Sequence, residues 1–221
     1  MINIINYDKK EQKLIFSTDM QTSLANAIRR SALEIPIMAI DEVEIIQNDS
    51  ALYDEIIAHR LGLVPIETSK TSKEIKFKLK ATGPKTVYST DIVPSVGTEY
   101  KLPLTILDNE QELEIIANAR LGKGIEHIKF SPGLIFFRHN LDPEVLEFVN
   151  IDDEGNVTFN EEELERRKLS EELIKRIKKT TKANELLFNI ESWGQIEVKE
   201  IFLKSIEALD ENLKELEKFI K

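Results

Sequence analysis

The chain has 221 residues, 41% of them hydrophobic and 32% charged, with no cysteine and a formal net charge of −10. A chain of this length buries roughly 70% of its unfolded surface, so an ordinary core is available. The missing cysteines exclude disulfides, zinc ribbons, thiolate-held iron–sulfur clusters and cysteine nucleophiles together, and the acidic balance argues against the whole chain binding nucleic acid, because such a surface repels phosphate.

No apolar run approaches the roughly 18 residues of a membrane span. Met1 leads straight into a strand pattern rather than a targeting segment. The expectation is a reducing, cytoplasmic setting away from membranes, in which the sequons at Asn48 and Asn156 are accidental. The weight of Lys, Glu and Ile is compatible with a heat-loving source. Length alone admits one large domain or two small ones.

In chain order, "INIINY" and "KLIFST" predict two strands around a polar turn at residues 8–11. Thr18 or Asp19 is placed to cap a helix, "MQTSLANAIRRSALEI", that ends before Pro36. At 100° per residue, Met20, Leu24, Ala27, Ile28, Ser31 and Ile35 share one face, and Asn26, Arg29 and Arg30 the other. "IMAIDEVEII" predicts a strand. In "YDEIIAHRLGLVPI" (residues 53–66) a second helix stops at Gly62 and gives way to a strand locked by Pro65. Between 67 and 138 the strands "EIKFKLKA", "TVYSTDIV", "YKLPLTIL", "LEIIANARL", "IEHIKFSP" and "LIFFRH" are punctuated by Gly and Pro.

Residues 142–182 are acidic and then mixed in charge, which predicts short helices with little core. The basic run "KRIKKTTK" (175–182) reads either as a solvated helix face or as a local contact with phosphate. "LLFNIESWG" predicts a strand bounded by Gly194. In the last segment Phe202, Ile206, Leu209, Leu213, Leu216 and Ile220 alternate spacings of four and three, the stripe of a packed helix. Glu200–Lys204, Asp210–Lys214 and Glu217–Lys221 are i,i+4 pairs with the acid first. That stripe can be covered by the chain's own sheet or by a helix from a partner.

For chemistry, Glu55 and His59 lie one helical turn apart, so both can face a metal, with His127 or His139 as a further ligand of a stand-alone metal enzyme. Against that, no second histidine sits at i±4, Asp54 points about 100° away from Glu55, and a histidine beside Arg60 at a helix C-terminus is favoured by the helix dipole alone. "ATGPKT" and "LGKG" lack the spacing of a phosphate loop, and no G-x-S-x-G elbow occurs. No residue set looks catalytic. Arg29 and Arg30, beside Asn26, are either solvated or a docking face, arginine being suited to interface carboxylates.

"SLANAIRRSALEIPIMAIDEVEI" followed by "DEIIAHRLGLVPI" closely resembles the α-like subunits of DNA-dependent RNA polymerase. Within that family the chain looks like the archaeal D-type subunit, which is akin to the third-largest subunit of eukaryotic RNA polymerase II and to the bacterial α N-terminal domain. "TVYSTDIV" and "ARLGKGIEHIKFSP" resemble later motifs of that family in the same order, so the likeness spans about 14–132.

The resemblance implies an α+β fold. A split dimerisation domain, a short sheet plus two helices from both chain ends (1–46 and 183–221), would hold an inserted mainly-β domain (47–182). It implies a non-catalytic assembly subunit that pairs, through Phe202, Ile206, Leu209, Leu213, Leu216 and Ile220, with a small α-like subunit of the archaeal L type. The large polymerase subunits would meet Asn26, Arg29, Arg30, Asp54, His59 and Arg60, with small assembly subunits nearby and DNA reached only through the complex. Many relatives hold zinc or an iron–sulfur cluster on cysteines in the insert. This chain has none, so no metal or other cofactor is expected.

Overall fold

In the computed structural model, residues 1–69, 74–152, 154–167 and 169–220 are described, with the backbone alone at 163 and 165. The Asp8 carboxylate accepts the backbone N–H groups of Lys10 and Glu11, both at 2.9 Å, and so turns β1 (Ile2–Asp8) back onto β2 (Lys13–Thr18). The helix after β2, α1 (Thr22–Ser31), begins later than Thr18 or Asp19 would cap it: Thr18 Oγ1 accepts only from Met20 N, at 3.3 Å. After α1 the chain tightens into a 3₁₀ turn, Ala32–Glu34, before the extended Ile35 that Pro36 demands.

The 12-residue β3 (Ile37–Asn48) and α2 (Asp54–Gly62) follow as read. Past Gly62 the strand expected around Pro65 is absent. Val64 and Ile66 are buried in an irregular stretch, held by Glu67 N to Val96 O (2.8 Å), Thr68 N to Gln195 O (2.7 Å) and Thr98 Oγ1 to Pro65 O (3.0 Å). Next come β4 (Ile75–Thr82), β5 (Lys85–Tyr88), β6 (Pro103–Leu107), β7 (Glu112–Gly122) and β8 (Gly133–His139). Of two expected strands, "TVYSTDIV" keeps a strand only as far as Tyr88 and "IEHIKFSP" has none, each giving way to a 3₁₀ turn. In "TVYSTDIV" the Asp91 carboxylate accepts Tyr88 N at 2.8 Å and curls Ser89–Asp91. In "IEHIKFSP" His127 Nδ1 accepts Lys129 N at 3.2 Å and caps Ile128–Phe130.

The acidic stretch folds further than short helices. Between α3 (Pro143–Leu146) and α4 (Glu161–Arg166) lies a hairpin of β9 (Val149–Ile151) and β10 (Val157–Phe159). Its turn is set by Asp152, whose Oδ1 accepts Glu154 N (2.9 Å) and Asn156 N (2.8 Å), and by Gly155 at φ +80°. Helix α5 (Glu171–Lys179) starts on the Ser170 hydroxyl, which accepts Leu173 N. The chain closes with β11 (Leu186–Ser192), a Gly194 bend at φ +96° and α6 (Val198–Ile220). An added Cβ on Gly194 would meet the Tyr100 ring at 2.6 Å. The expected Glu217–Lys221 pair lies outside the described residues; Glu200–Lys204 (3.0 Å) and Asp210–Lys214 are formed.

These elements make two contact-dense units of an α+β fold, Met1–Arg30 with Ile135–Glu191 and Ser31–Leu134 with Ser192–Lys221. The expected boundaries at 46 and 183 follow a family's dimerisation fold, whereas contact density breaks after Arg30, Leu134 and Glu191. In the first unit a four-stranded sheet runs in the order β1-β2-β11-β8. Phe16 and Phe188 are directly opposite across β2 and β11, their rings stacked at 5.1 Å. A satellite core of Val145, Leu164 and Ile177 holds α3, α4 and α5.

In the second unit β3-β7-β4 form an antiparallel sheet, and β5 pairs with β6. The alternation of β4 buries Phe77, Leu79 and Ala81 and exposes Lys76, Lys78 and Lys80. Met38, Ile40, Ile57, Leu104 and Ile115 join them in the main core.

Candidate functional site

On α1 the polar residues fall on the exposed side, though the apolar face differs from the one read at 100° per residue. Ala25, Ile28, Ser31, Ala32 and Ile35 are buried, Ala27 is half-buried and Leu24 is 47% exposed, so the face is centred one residue away from Leu24. Arg29 donates from both Nε (3.1 Å) and Nη2 (2.8 Å) to the Asn26 side-chain oxygen one turn back. Asn26 thereby holds the guanidinium in one orientation. Among the described residues neither Arg29 nor Arg30 has a carboxylate within ion-pairing distance.

On α2 the sequence-picked residues have different situations. Asp54 accepts Asn48 Nδ2 at 2.7 Å in the first turn, where its charge also suits the helix dipole. Arg60 donates from Nη1 to the Leu104 carbonyl on β6 at 2.7 Å and clamps the end of α2 to its own unit. Exposed His59 stands between them on the same helix. The three histidines do not assemble: His59 is on α2, His127 caps a 3₁₀ turn, and His139 ends β8 in the other unit. Among the described residues no three His, Asp or Glu side chains come together as a metal-binding group, Glu55 and His59 included.

One constellation was not singled out in the sequence. Asp41 on β3 accepts Lys129 Nζ and Arg120 Nε, each at 2.6 Å, and Arg120 Nη1 reaches Glu126 at 3.2 Å. Both cations also lie over the Phe130 ring, at 4.9 and 5.1 Å. The Lys129 hydrogen bond, then that of Arg120, holds the Asp41 carboxyl below its ordinary value. With Ile125 N donating to Leu33 O at 3.2 Å, the network pins the 123–130 loop. The cations lie close together in sequence, but Asp41 precedes them by 79 and 88 residues, and no local spacing links the carboxylate to them.

The α6 stripe divides in two. Val198, Ile201, Phe202 and Ser205 are buried, and the helix packs on the Ala32–Glu34 turn. Asn212 Nδ2 then donates to Glu34 Oε1 at 3.0 Å, and Lys123 pairs with the same carboxylate at 3.6 Å. Beyond Phe202 the apolar residues open to solvent: Ile206 39%, Leu209 half-buried, Leu213 and Leu216 each 56%, Ile220 77%. Leu203 and Phe219 are also exposed and were not part of the sequence-read stripe. Phe219, three residues after Leu216, carried the i,i+3 signal that would have found it.

No helix of the described residues is long and apolar enough to cross a membrane. Residues 15–213 match the family described as the RNA polymerase Rpb3/Rpb11 dimerisation domain. The DNA-directed RNA polymerase subunit Rpo3 of Thermococcus kodakarensis is 32% identical, over 84% of this chain and 84% of its own. The Rpo3 subunits of Methanocaldococcus jannaschii (36% identical; 81% and 91% covered) and Archaeoglobus fulgidus (31%; 96% and 96%) are similar in the same way. With that coverage of a dimerisation fold, and a terminal helix packed at one end and bare at the other, the chain belongs to the Rpb3/Rpb11 family of α-like RNA polymerase subunits.

Proposed function

We propose that this chain is a non-catalytic assembly subunit of DNA-dependent RNA polymerase, working in the cytoplasm, with nucleotidyl transfer left to the large subunits. It forms a heterodimer with a small α-like subunit of the archaeal L type, and the pair holds the large subunits and small assembly subunits. The observation that carries this reading is α6, whose apolar stripe is buried only as far as Phe202 within a chain of dimerisation-domain sequence. Isolated monomers rarely leave several large apolar side chains in line on one helix without a partner to cover them.

In this reading the dimerisation domain is drawn from 1–46 and 183–221, around an insert of 47–182 that carries no metal or other cofactor. Asn26, Arg29, Arg30, Asp54 and His59 are docking groups for a large subunit. Arg60 belongs to the same docking set and also fixes α2, the helix that presents Asp54 and His59, its guanidinium engaged with Leu104. A tagged copy expressed in the native host and purified at moderate salt tests the reading by mass spectrometry. The expected result is co-recovery of a small α-like subunit and the large polymerase subunits; recovery of the chain alone, soluble and monomeric, would overturn it.

A further inference from the structure

On a chain of net charge −10, residues 175–182 hold five cations and no acid. Two of the five are engaged locally. Arg176 pairs with Asp142 and with Glu144 (3.1 Å), and Lys178 with Glu161 (3.4 Å). Lys175, Lys179 and Lys182 are exposed and have no carboxylate partner among the described residues.

Lys179 and Lys182 line a shallow groove of about 450 Å³ with Arg176, Thr180, Thr181, Asp142, Leu141 and Val145, and Lys175 lies outside that lining, one turn before Lys179 on α5. The groove's backbone is fixed, because Val157 N donates to Thr181 O at 3.1 Å and Ala183 N to Gly155 O at 2.8 Å. Arg176 also neutralises Asp142, the acid in that lining. Cations in the last turn of α5 offset its dipole, but Lys182 lies beyond the Thr180 cap and Lys175 precedes that turn.

We propose that this groove, together with the exposed Lys175 one turn before it on α5, is a contact for the phosphate backbone of nucleic acid, made without sequence preference and additional to the assembly role. Free lysines are point charges suited to a phosphate track, whereas protein interfaces favour arginine and aromatic anchors and are poor in lysine. Among the described residues from 140 to 185 no large apolar side chain is exposed, and the apolar members of the lining, Leu141 and Val145, are half-buried and buried, so no aromatic or fully exposed apolar anchor stands in the groove. The inference concerns the chain itself and stands apart from its pairing with other subunits.

The test titrates a labelled mixed-sequence DNA duplex with the full chain between roughly 50 and roughly 200 mM salt, alongside the variant Lys175→Gln/Lys179→Gln/Lys182→Gln. Three phosphate contacts cost the wild type roughly 40-fold in affinity across that range, and the variant's slope of log K against log salt falls by about 2 to 3. The variant's melting temperature stays unchanged, since all three side chains are exposed. No salt-dependent binding by the wild type, an unchanged slope in the variant, or poly-glutamate displacing the duplex as well as unlabelled DNA does would each overturn the proposal.

Discussion

Arg60 and His59 are neighbours in sequence with different duties, and stability measurements separate them. Replacing Arg60 by alanine leaves the Leu104 carbonyl without its donor and is expected to cost about 1 kcal/mol. His59→Ala, exposed, should stay within about 0.5 kcal/mol of the wild type. Urea unfolding of the two variants checks this, and equal losses would contradict the clamp.

Asp41 makes a second prediction, on pH. Its folded-state pKa is depressed, so its contribution is present above the unfolded pKa and is lost as pH falls through the lowered folded value. Acid unfolding of Asp41→Asn should therefore show a shallower loss of stability below about pH 4 than the wild type. Neither role was legible in the sequence. Arg60 meets a carbonyl 44 residues away, and Asp41 meets cations 79 and 88 residues on. Asn26 and Arg29, one turn apart, were legible as a pair on one exposed helix face.

At the scale of elements, periodicity carried far where burial is regular. The strand expected at "EIKFKLKA" forms as β4, whose residues alternate between buried and exposed, and the helix expected from the α6 stripe forms over Val198–Ile220, although Phe202 alone of the six stripe residues is buried. It failed where side chains bend the backbone. Asp91 and His127 each convert β-prone residues into a 3₁₀ turn, and Asp152 with Gly155 makes a hairpin inside a stretch that composition marks as poor in core.

Helix α6 also supports a contrast between its two ends. Phe202→Ala should destabilise the fold by about 3 kcal/mol, because a buried ring leaves a cavity. Leu209→Glu with Leu213→Glu should change the melting temperature little and abolish co-purification with the small α-like subunit. If the double variant still pairs with unchanged affinity, α6 is not the pairing element.

For the molecule as a whole, the family was legible from ordered motifs between 14 and 132, and the match found across 15–213 extends it into α6. The division into contact-dense units was not legible, since β11 is brought to β2, and β8 to β11, from distant parts of the chain. Leu213 and Leu216 are 56% exposed in the chain by itself, Ile220 77% and Phe219 88%, and covering the exposed part of each is worth about 1–2 kcal/mol before the cost of association. Pairing that covers them would raise the stability of the chain by mass action. The measurement that tests this most directly is light scattering on a size-exclusion column of this chain co-expressed with a small α-like polymerase subunit. A one-to-one complex that melts above the lone chain is the result predicted. Two separate monomers, each with its own unchanged melting temperature, would contradict it.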